Sequence, residues 1–412
     1  MGLRELSVDM TEEQKATRDM VKRFATEIVR PAGIELDRMH DPQDVIAKGS
    51  PLWEVFRKYR ELGLHRGGLP PEVGGIEQDA LTSAIISENV GWGDGGLAVS
   101  LSVSVFPYIF AMMSPDPQVQ DWTRQYCEDT EGKIIGCWAI TEPDHGSDWI
   151  WFEGENSSDP KCAPSVRAVQ DGDDFIINGQ KSAWVSDGNI ATHAALFLSL
   201  DPTKGMGGCG LAAVPLDLPG ITRGKPLDKM GQRTLNQGEI FFDNVRIPKS
   251  MLVIQDPAVH NMVLGAVLSG ANGAMGNMWV GVAQSALDEA LRYSKERVQG
   301  GRPICEHQNI KLKLFDMFVS VEAARRLSRA VTAFNRATQP PALQYATGSK
   351  VFATNTAFRV ASEAIAIFGG YGVTKEYVIE KIFRDARAAM IEDGANETLA
   401  LAGADRILAG IP

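Results

Sequence analysis

At 412 residues the chain is long enough for two or three domains with large shared cores. With 44% hydrophobic and 23% charged residues it has the make-up of an ordinary soluble globular protein. A net charge of −11 and the lack of a basic stripe exclude a nucleic-acid backbone as partner, though a local basic pocket for a phosphorylated cofactor remains open. The cysteines at 127, 137, 162, 209 and 305 have neither CxxC nor any other metal spacing, which predicts reduced thiols in a cytoplasmic protein.

The opening stretch, Met1 to Gln14, lacks an apolar signal core and turns acidic too early for a transit peptide. Thr11 and Gln14 form a capping-box pattern, after which Val21, Phe24, Ala25 and Ile28 recur at helical spacing. Pro31 stops that helix or begins the next, and the Pro/Gly-rich patch from Gly67 to Gly75 interrupts the helical region. The run GWGDGGL, Gly91 to Leu97, is too glycine-rich for mid-helix and predicts a bend where something approaches the backbone. From about Ile134 to Pro248 short β-branched and aromatic runs alternate with turn residues, and Asn178-Gly179 between two of them predicts a hairpin. A polar insertion near Glu153–Lys161 reads as a surface loop, and the sequon at Asn156 carries no weight in a cytoplasmic protein.

Beyond Pro248 the helical period returns. His260 to Asp288 carries no charge before its last residue, but interleaved glycines, asparagines and a glutamine suit close packing inside a protein rather than lipid, so no membrane span is expected. Ile310, Leu314, Met317, Phe318 and Val321 make an apolar stripe opposite Lys311, Lys313 and Asp316. The result is an α+β multidomain chain: 1–133 helical, 134–250 β, and 251–412 helical.

Five stretches carry candidate chemistry. WAITEPDHGSD, Trp138 to Asp148, offers Gly146, Ser147 and backbone N–H groups to a phosphate and Thr141 to a polar ring edge, or it is a structural turn. KSAWVSDG, Lys181 to Gly188, puts Trp184 and Ser186 on one strand face, suited to stacking on a flat heteroaromatic ring or to a β core. Arg297 to Gln308 is a loop with an arginine and a glutamine placed for a charged or amide-bearing ligand. IFGGYG, Ile367 to Gly372, permits close backbone approach. RDARAAMIEDGANE, Arg384 to Glu397, sets Glu392 and Asp393 before Gly394, either as a firmly held carboxylate or as solvated acids at a helix end.

Taken in order, and with KMGQR (Lys229–Arg233) followed by FFDNVRIP, these stretches resemble the acyl-CoA dehydrogenase family over essentially the whole chain. The resemblance implies an N-terminal helical domain, a middle β-barrel-like domain and a C-terminal four-helix bundle. It also implies non-covalent FAD, an acyl-CoA thioester substrate, an electron-transferring flavoprotein as acceptor, and a homotetramer. Carried over by position, Trp138, Ile140, Thr141, Gly146, Ser147, Trp184, Val185 and Ser186 would contact the flavin, with Ser186 near its N5. Arg297, Gln299, His307 and Gln308, with Ala366, Ile367, Phe368, Gly369 and Gly370, would hold a neighbouring subunit's FAD. Ala395 and Glu397 join the cofactor set, and Ser147, Gly394 and Asn272 the acyl-CoA set.

The family's catalytic carboxylate lies nine residues beyond the arginine of its RDA motif, which gives Asp393, with Glu392 in reserve where the family usually has an aromatic. The other position used in the family corresponds to Ala271, which has no carboxylate. Most members resembling this chain carry glutamate as the base. Aspartate is shorter by about 1.5 Å, and reactive geometry is sensitive to displacements of that size. The departure resembles dehydrogenases of alicyclic ring acyl-CoAs, such as cyclohexane- or cyclohexene-carboxyl-CoA. There Asp94 would act as a second acid/base group, unless it simply caps a helix. Gly300, Ala366 and His145 also depart from the usual residues, and His145 reads as a pocket wall or a catalytic acid. Competing readings are a short/medium, branched or aromatic-substituted acyl-CoA dehydrogenase, a flavin oxidase or monooxygenase on the same fold, and a non-enzymatic binding subunit.

Overall fold

The chain passes from helices to a sheet and back to helices. A computed structural model describes residues 10–152, 154 and 156–410. The reading of residues 1–9 as free of a leader, and Glu153 of the polar insertion, lie outside the described residues. The first layer holds α1 (Glu12–Phe24), α2 (Arg30–Asp37), α3 (Pro42–Val45), α4 (Pro51–Glu61), α5 (Ala80–Gly93), α6 (Gly95–Val103), α7 (Phe106–Ala111) and α8 (Pro117–Glu128). The capping box forms as expected: Gln14 N donates to Thr11 Oγ1, and Thr11 N to Gln14 Oε1 at 3.0 Å. Proline stands in the first turn of α3, α4, α7 and α8, where its missing N–H costs little, whereas Pro31 neither stops nor starts a helix: the chain stays helical from Glu12 to Asp37 through a π-helical turn at Ala25–Val29.

The middle layer is a curled sheet of β1 (Gly136–Ala139), β2 (Arg167–Asp171), β3 (Asp174–Ser186), β4 (His193–Ser199), β5 (Cys209–Pro215), β6 (Ile221–Arg223) and β7 (Gln237–Pro248). Its order is β1-β4-β2-β3-β7-β6, with β5 antiparallel to β4. The hairpin expected at Asn178-Gly179 is not there. Both residues lie inside β3, where a register shift against β7 falls between Ile177 and Gly179, and Gly179 takes φ +133°. The turn sits earlier, at Gly172-Asp173, closed by the Asp171–Asp174 pair. The Asn-Gly pair therefore served a bulge, which makes the same demand on the backbone as a tight turn.

The last layer is α9 (Pro257–Glu296), a small hairpin of β8 (Val298–Gln299) and β9 (Arg302–Pro303), then α10 (Gln308–Ala337), α11 (Leu343–Phe368), α12 (Ile379–Ala389) and α13 (Asn396–Leu408). Among the described residues no helix is long and apolar enough to cross a membrane. α9 packs against α11, α5 and α10, and its glycines explain how. A Cβ on Gly281 would lie 1.9 Å from Glu88 O of α5, and one on Gly91 of α5 would lie 2.2 Å from Met278 O. In the glycine-rich bend, Gly91 is thus met by the backbone of α9, Gly95 by the Trp279 side chain of the same helix, and Gly96 by Thr234. Gly281→Ala is expected to destabilise the chain by about 1–3 kcal/mol through forced separation of the two helices, read as a lower midpoint in thermal unfolding. An unchanged midpoint would mean the helices give way freely.

Candidate active site

Trp138 leaves β1 half-buried between Phe106 and Phe197, ring centres 4.6 and 4.7 Å away. The segment that follows is pinned to β3: Ser182 N donates to Thr141 O at 2.9 Å, and the buried Lys181 ammonium donates to Ile140 O (2.9 Å) and Glu142 Oε1 (2.7 Å). Glu142 also accepts from Ser165 N and Val166 N, so the pair braces three stretches of backbone. Sequence reasoning missed both partners. Beyond this brace His145 is buried with Nδ1 2.6 Å from Asp148 Oδ2. A Cβ on Gly146 would meet open space.

On β3, Val185 is buried while Trp184 leaves 57% of its surface open, so the alternation does present Trp184 and Ser186 outward together. Ser186 Oγ accepts from Gln237 Nε2 at 3.2 Å, and Gln237 Oε1 accepts from Lys229 Nζ at 2.7 Å. An exposed tryptophan beside a hydroxyl, with an open glycine turn near the end of β1, is the surface a flat ring with a phosphate tail needs. The residues present fit FAD.

The acids lie in the loop between α12 and α13. Asp393 adopts φ +49° and Gly394 φ +97°, conformations that cost little only for asparagine, aspartate and glycine. A Cβ on Gly394 would strike Ile150 Cδ1 at 2.3 Å. Ala395 N donates to Ser147 Oγ at 3.0 Å, which joins this loop to the middle layer. Lys350 of α11, fully buried, donates to Gly394 O (2.8 Å) and Asn396 Oδ1 (2.9 Å). Asp393 is exposed, yet the protein packed around it removes part of its hydration. That desolvation raises its pKa, opposed by Lys350. Glu392 is half-buried, accepts from Gln232 Nε2 at 2.8 Å, and is pushed up to about 8 by burial and by Asp393. Glu397 is exposed in the first turn of α13. Asn272 is buried, with Nδ2 spent on Leu268 O and Oδ1 without a partner.

Asp94 is committed elsewhere. Its Oδ1 accepts from Leu97 N (2.9 Å) as the cap of α6 and from Thr234 Oγ1 (2.7 Å), while Oδ2 holds Lys381 Nζ at 2.5 Å. The capping reading is realised, and the carboxylate is buried, ion-paired and held below its usual range by Lys381 despite burial.

A second group lies at the far ends of α9 and α11. Arg297, Gln299, Gln308, Ala366, Gly369 and Gly370 are exposed, and His307 Nε2 lies 2.9 Å from Gln299 O. Ile367 and Phe368 are buried anchors, Phe368 stacking on Tyr293 at 4.0 Å. Along α11 from Lys350 to Ala366 the helix rises about 24 Å. This group therefore does not share a small ligand with the base loop of its own chain. Gly300-Gly301, at φ +61° and +80°, makes the tight turn of the β8–β9 hairpin, which explains why a phenylalanine is absent there.

Models of the acyl-CoA dehydrogenase N-terminal, middle and C-terminal domains match residues 11–129, 137–245 and 263–408. The chain belongs to the acyl-CoA dehydrogenase family. Among the relatives of this acyl-CoA dehydrogenase, the probable acyl-CoA dehydrogenase YngJ of Bacillus subtilis is 31% identical, over 98% of this chain and 100% of its own. Cyclohex-1-ene-1-carbonyl-CoA dehydrogenase of Geobacter metallireducens is 31% identical over 94% and 96%. The structure of butyryl-CoA dehydrogenase from Megasphaera elsdenii superposes with a TM-score of 0.84 at 26% identity, covering 98% of this chain and 100% of that one. Members of the acyl-CoA dehydrogenase family are FAD-dependent.

Proposed function

We propose that this enzyme uses Asp393 as the base that takes a proton from an acyl-CoA thioester, giving an unsaturated acyl-CoA, and that the acyl group is a cyclohexane- or cyclohexene-carboxyl ring. The observation that carries the reading is the Asp393 loop: a carboxylate in a left-handed turn whose next two residues are tied to Lys350, through Gly394 O, and to Ser147, through Ala395 N. A thioester's carbon-bound proton is far too weakly acidic for a solvated carboxylate, so raising the base's pKa and stabilising the developing oxyanion are both required. The N–H of Asp393 is the donor for that oxygen. Trp138 to Ser147, with Trp184 and Ser186, would hold FAD, which would supply the acceptor for the departing hydride. The shorter aspartate and the cyclohexene-carbonyl relative support the ring substrate. With Asp94 locked in its ion pair, Asp393 and Glu392 are the acids left for any proton removed further along the ring.

The distal group, Arg297, Gln299, His307 and Gln308 with Ala366 to Gly370, serves the FAD of a neighbouring copy in this reading. Leu312, Phe315 and Val319 of α10, 71%, 67% and 47% exposed, support a homotetramer. The acceptor is an electron-transferring flavoprotein and the compartment the cytoplasm; domain limits are 1–133, 134–250 and 251–412. The test is a panel of acyl-CoAs scored by bleaching of the purified flavoprotein with a dye acceptor. Cyclohexene- and cyclohexane-carboxyl-CoA are expected to bleach it fast, and butyryl- and octanoyl-CoA slowly. The reverse ranking removes the ring assignment, and faster uptake of oxygen than reduction of dye removes the dehydrogenase reading.

A further inference from the structure

A lysine with no exposed surface, on the helix whose far end carries the Ala366–Phe368 group, is the feature the proposed reaction leaves unused. Lys350 sits in the third turn of α11, one face of which grips the base loop: Asn396 Nδ2 donates to Thr354 Oγ1 (3.0 Å) and Asn355 Oδ1 (3.1 Å), while Lys350 Nζ donates to Gly394 O (2.8 Å) and Asn396 Oδ1 (2.9 Å). The loop closes on itself through Asn396 N to Met390 O at 3.0 Å. We propose that Lys350 is a positioning residue for the base, holding the Asp393–Gly394 turn in its left-handed conformation and placing a buried positive charge behind the Asp393 carboxylate. The inference rests on Asp393 being the base.

Two physical demands meet at this ammonium. Asp393 and Gly394 adopt φ +49° and +97° at little cost, so it is the surrounding contacts that select this one turn among those open to them. Without the lysine, the Gly394 carbonyl loses its buried donor and the turn its clamp. The second demand is electrostatic. Burial alone pushes the Asp393 carboxyl up, and Lys350 opposes that rise. The charged groups around the loop are few: Lys350 from α11, Glu397 from α13, and Lys229, on the segment before β7, which acts on Glu392. Burial pushes Lys350 itself down to about 8, against the pull of Glu392, Asp393 and Glu397, which favour its charged form.

A purely structural lysine and a charge-placing one differ in the pH dependence they leave behind. The holoenzyme and its Lys350→Gln and Lys350→Arg variants are compared by the rate of flavin bleaching with the best acyl-CoA of the panel, across pH. Glutamine keeps a donor for Gly394 O and removes the charge; arginine keeps the charge. In Lys350→Gln the rising limb of the rate profile is expected to move up by about 1–3 pH units, with a lowered plateau and little change in the half-saturating acyl-CoA concentration. In Lys350→Arg the limb is expected to stay in place. FAD content and thermal midpoint confirm that each variant is folded; if glutamine fails to fold, Lys350→Met supplies the neutral arm with the same expectation. A limb that coincides with wild type in a folded neutral variant overturns the proposal. If Asp393→Asn is inactive in that case, only the lysine's role is lost; if Asp393→Asn bleaches at the wild-type rate, the base assignment itself is lost.

Discussion

Asp393→Asn is expected to slow bleaching of the flavin by about 10²–10⁴-fold, the usual contribution of a positioned general base, while FAD content and thermal midpoint stay close to wild type. Asparagine is the substitution that isolates the chemistry. It is among the few residues at ease near φ +49°, so the turn that Asp393 makes before Gly394 survives. Its amide keeps the size and the hydrogen-bonding edge but cannot accept a carbon-bound proton. Glu392→Gln is the control, because Glu392 is the neighbouring acid and bonds Gln232 rather than reaching past Gly394. Loss of activity in Glu392→Gln with activity kept in Asp393→Asn would move the base by one residue. The pH behaviour has a definite sign. The base works ionised and its pKa is raised, so the wild-type rate climbs with pH through that raised value. Stability runs the other way: the folded chain still holds the Glu392 proton, up to about 8, after the unfolded chain has released its own, so this group's contribution declines as pH rises through that window. Fast chemistry and a stable fold therefore pull in opposite directions at this loop.

What the sequence made legible was local, and what it hid was the pairing of groups far apart in the chain. The capping box at Thr11 and Gln14 and the prolines that open helices act within one turn and could be read directly. The alternation in KSAWVSDG put Trp184 and Ser186 on one strand face without saying which way it turned, and in the fold Trp184 is exposed while Val185 is buried. Asn178-Gly179 misled because a bulge and a hairpin ask the same backbone freedom of a glycine, and only the partner strand distinguishes them. Asp94 could be read either way because its cap lies three residues on, whereas the lysine that fixes its charge lies 287 residues away. Lys350 and the Glu142–Lys181 pair were invisible for a similar reason: a charged residue in a half-apolar segment normally faces water, and nothing local marks these as buried. α10 showed one apolar stripe correctly, but Leu312, Phe315 and Val319 make a second, exposed one that a single-face reading passes over.

The Glu142–Lys181 pair offers the sharpest test of how the flavin segment is held. Both side chains are wholly buried, with Nζ 2.7 Å from Oε1. Burial pushes the Lys181 ammonium down from its ordinary value, and the carboxylate counters that. Glu142→Ala removes the counter-charge and also the acceptor for Ser165 N and Val166 N. The expected cost is about 3–5 kcal/mol, the penalty for leaving one partner of a buried pair uncompensated, together with loss of FAD on gel filtration, since Ile140 to Ser147 is the stretch the pair pins to β3. Lys181→Met should cost a similar amount by stranding the carboxylate. The double variant Glu142→Leu/Lys181→Met distinguishes charge from shape. If uncompensated charge is the main penalty, its thermal midpoint lies above that of either single variant, because two apolar groups need no partner. If it lies below both, the backbone bonds made by Glu142 matter more than the charge, and the flavin segment is held by a brace rather than by an ion pair. Single variants that melt with wild type would show that the segment is held by neither.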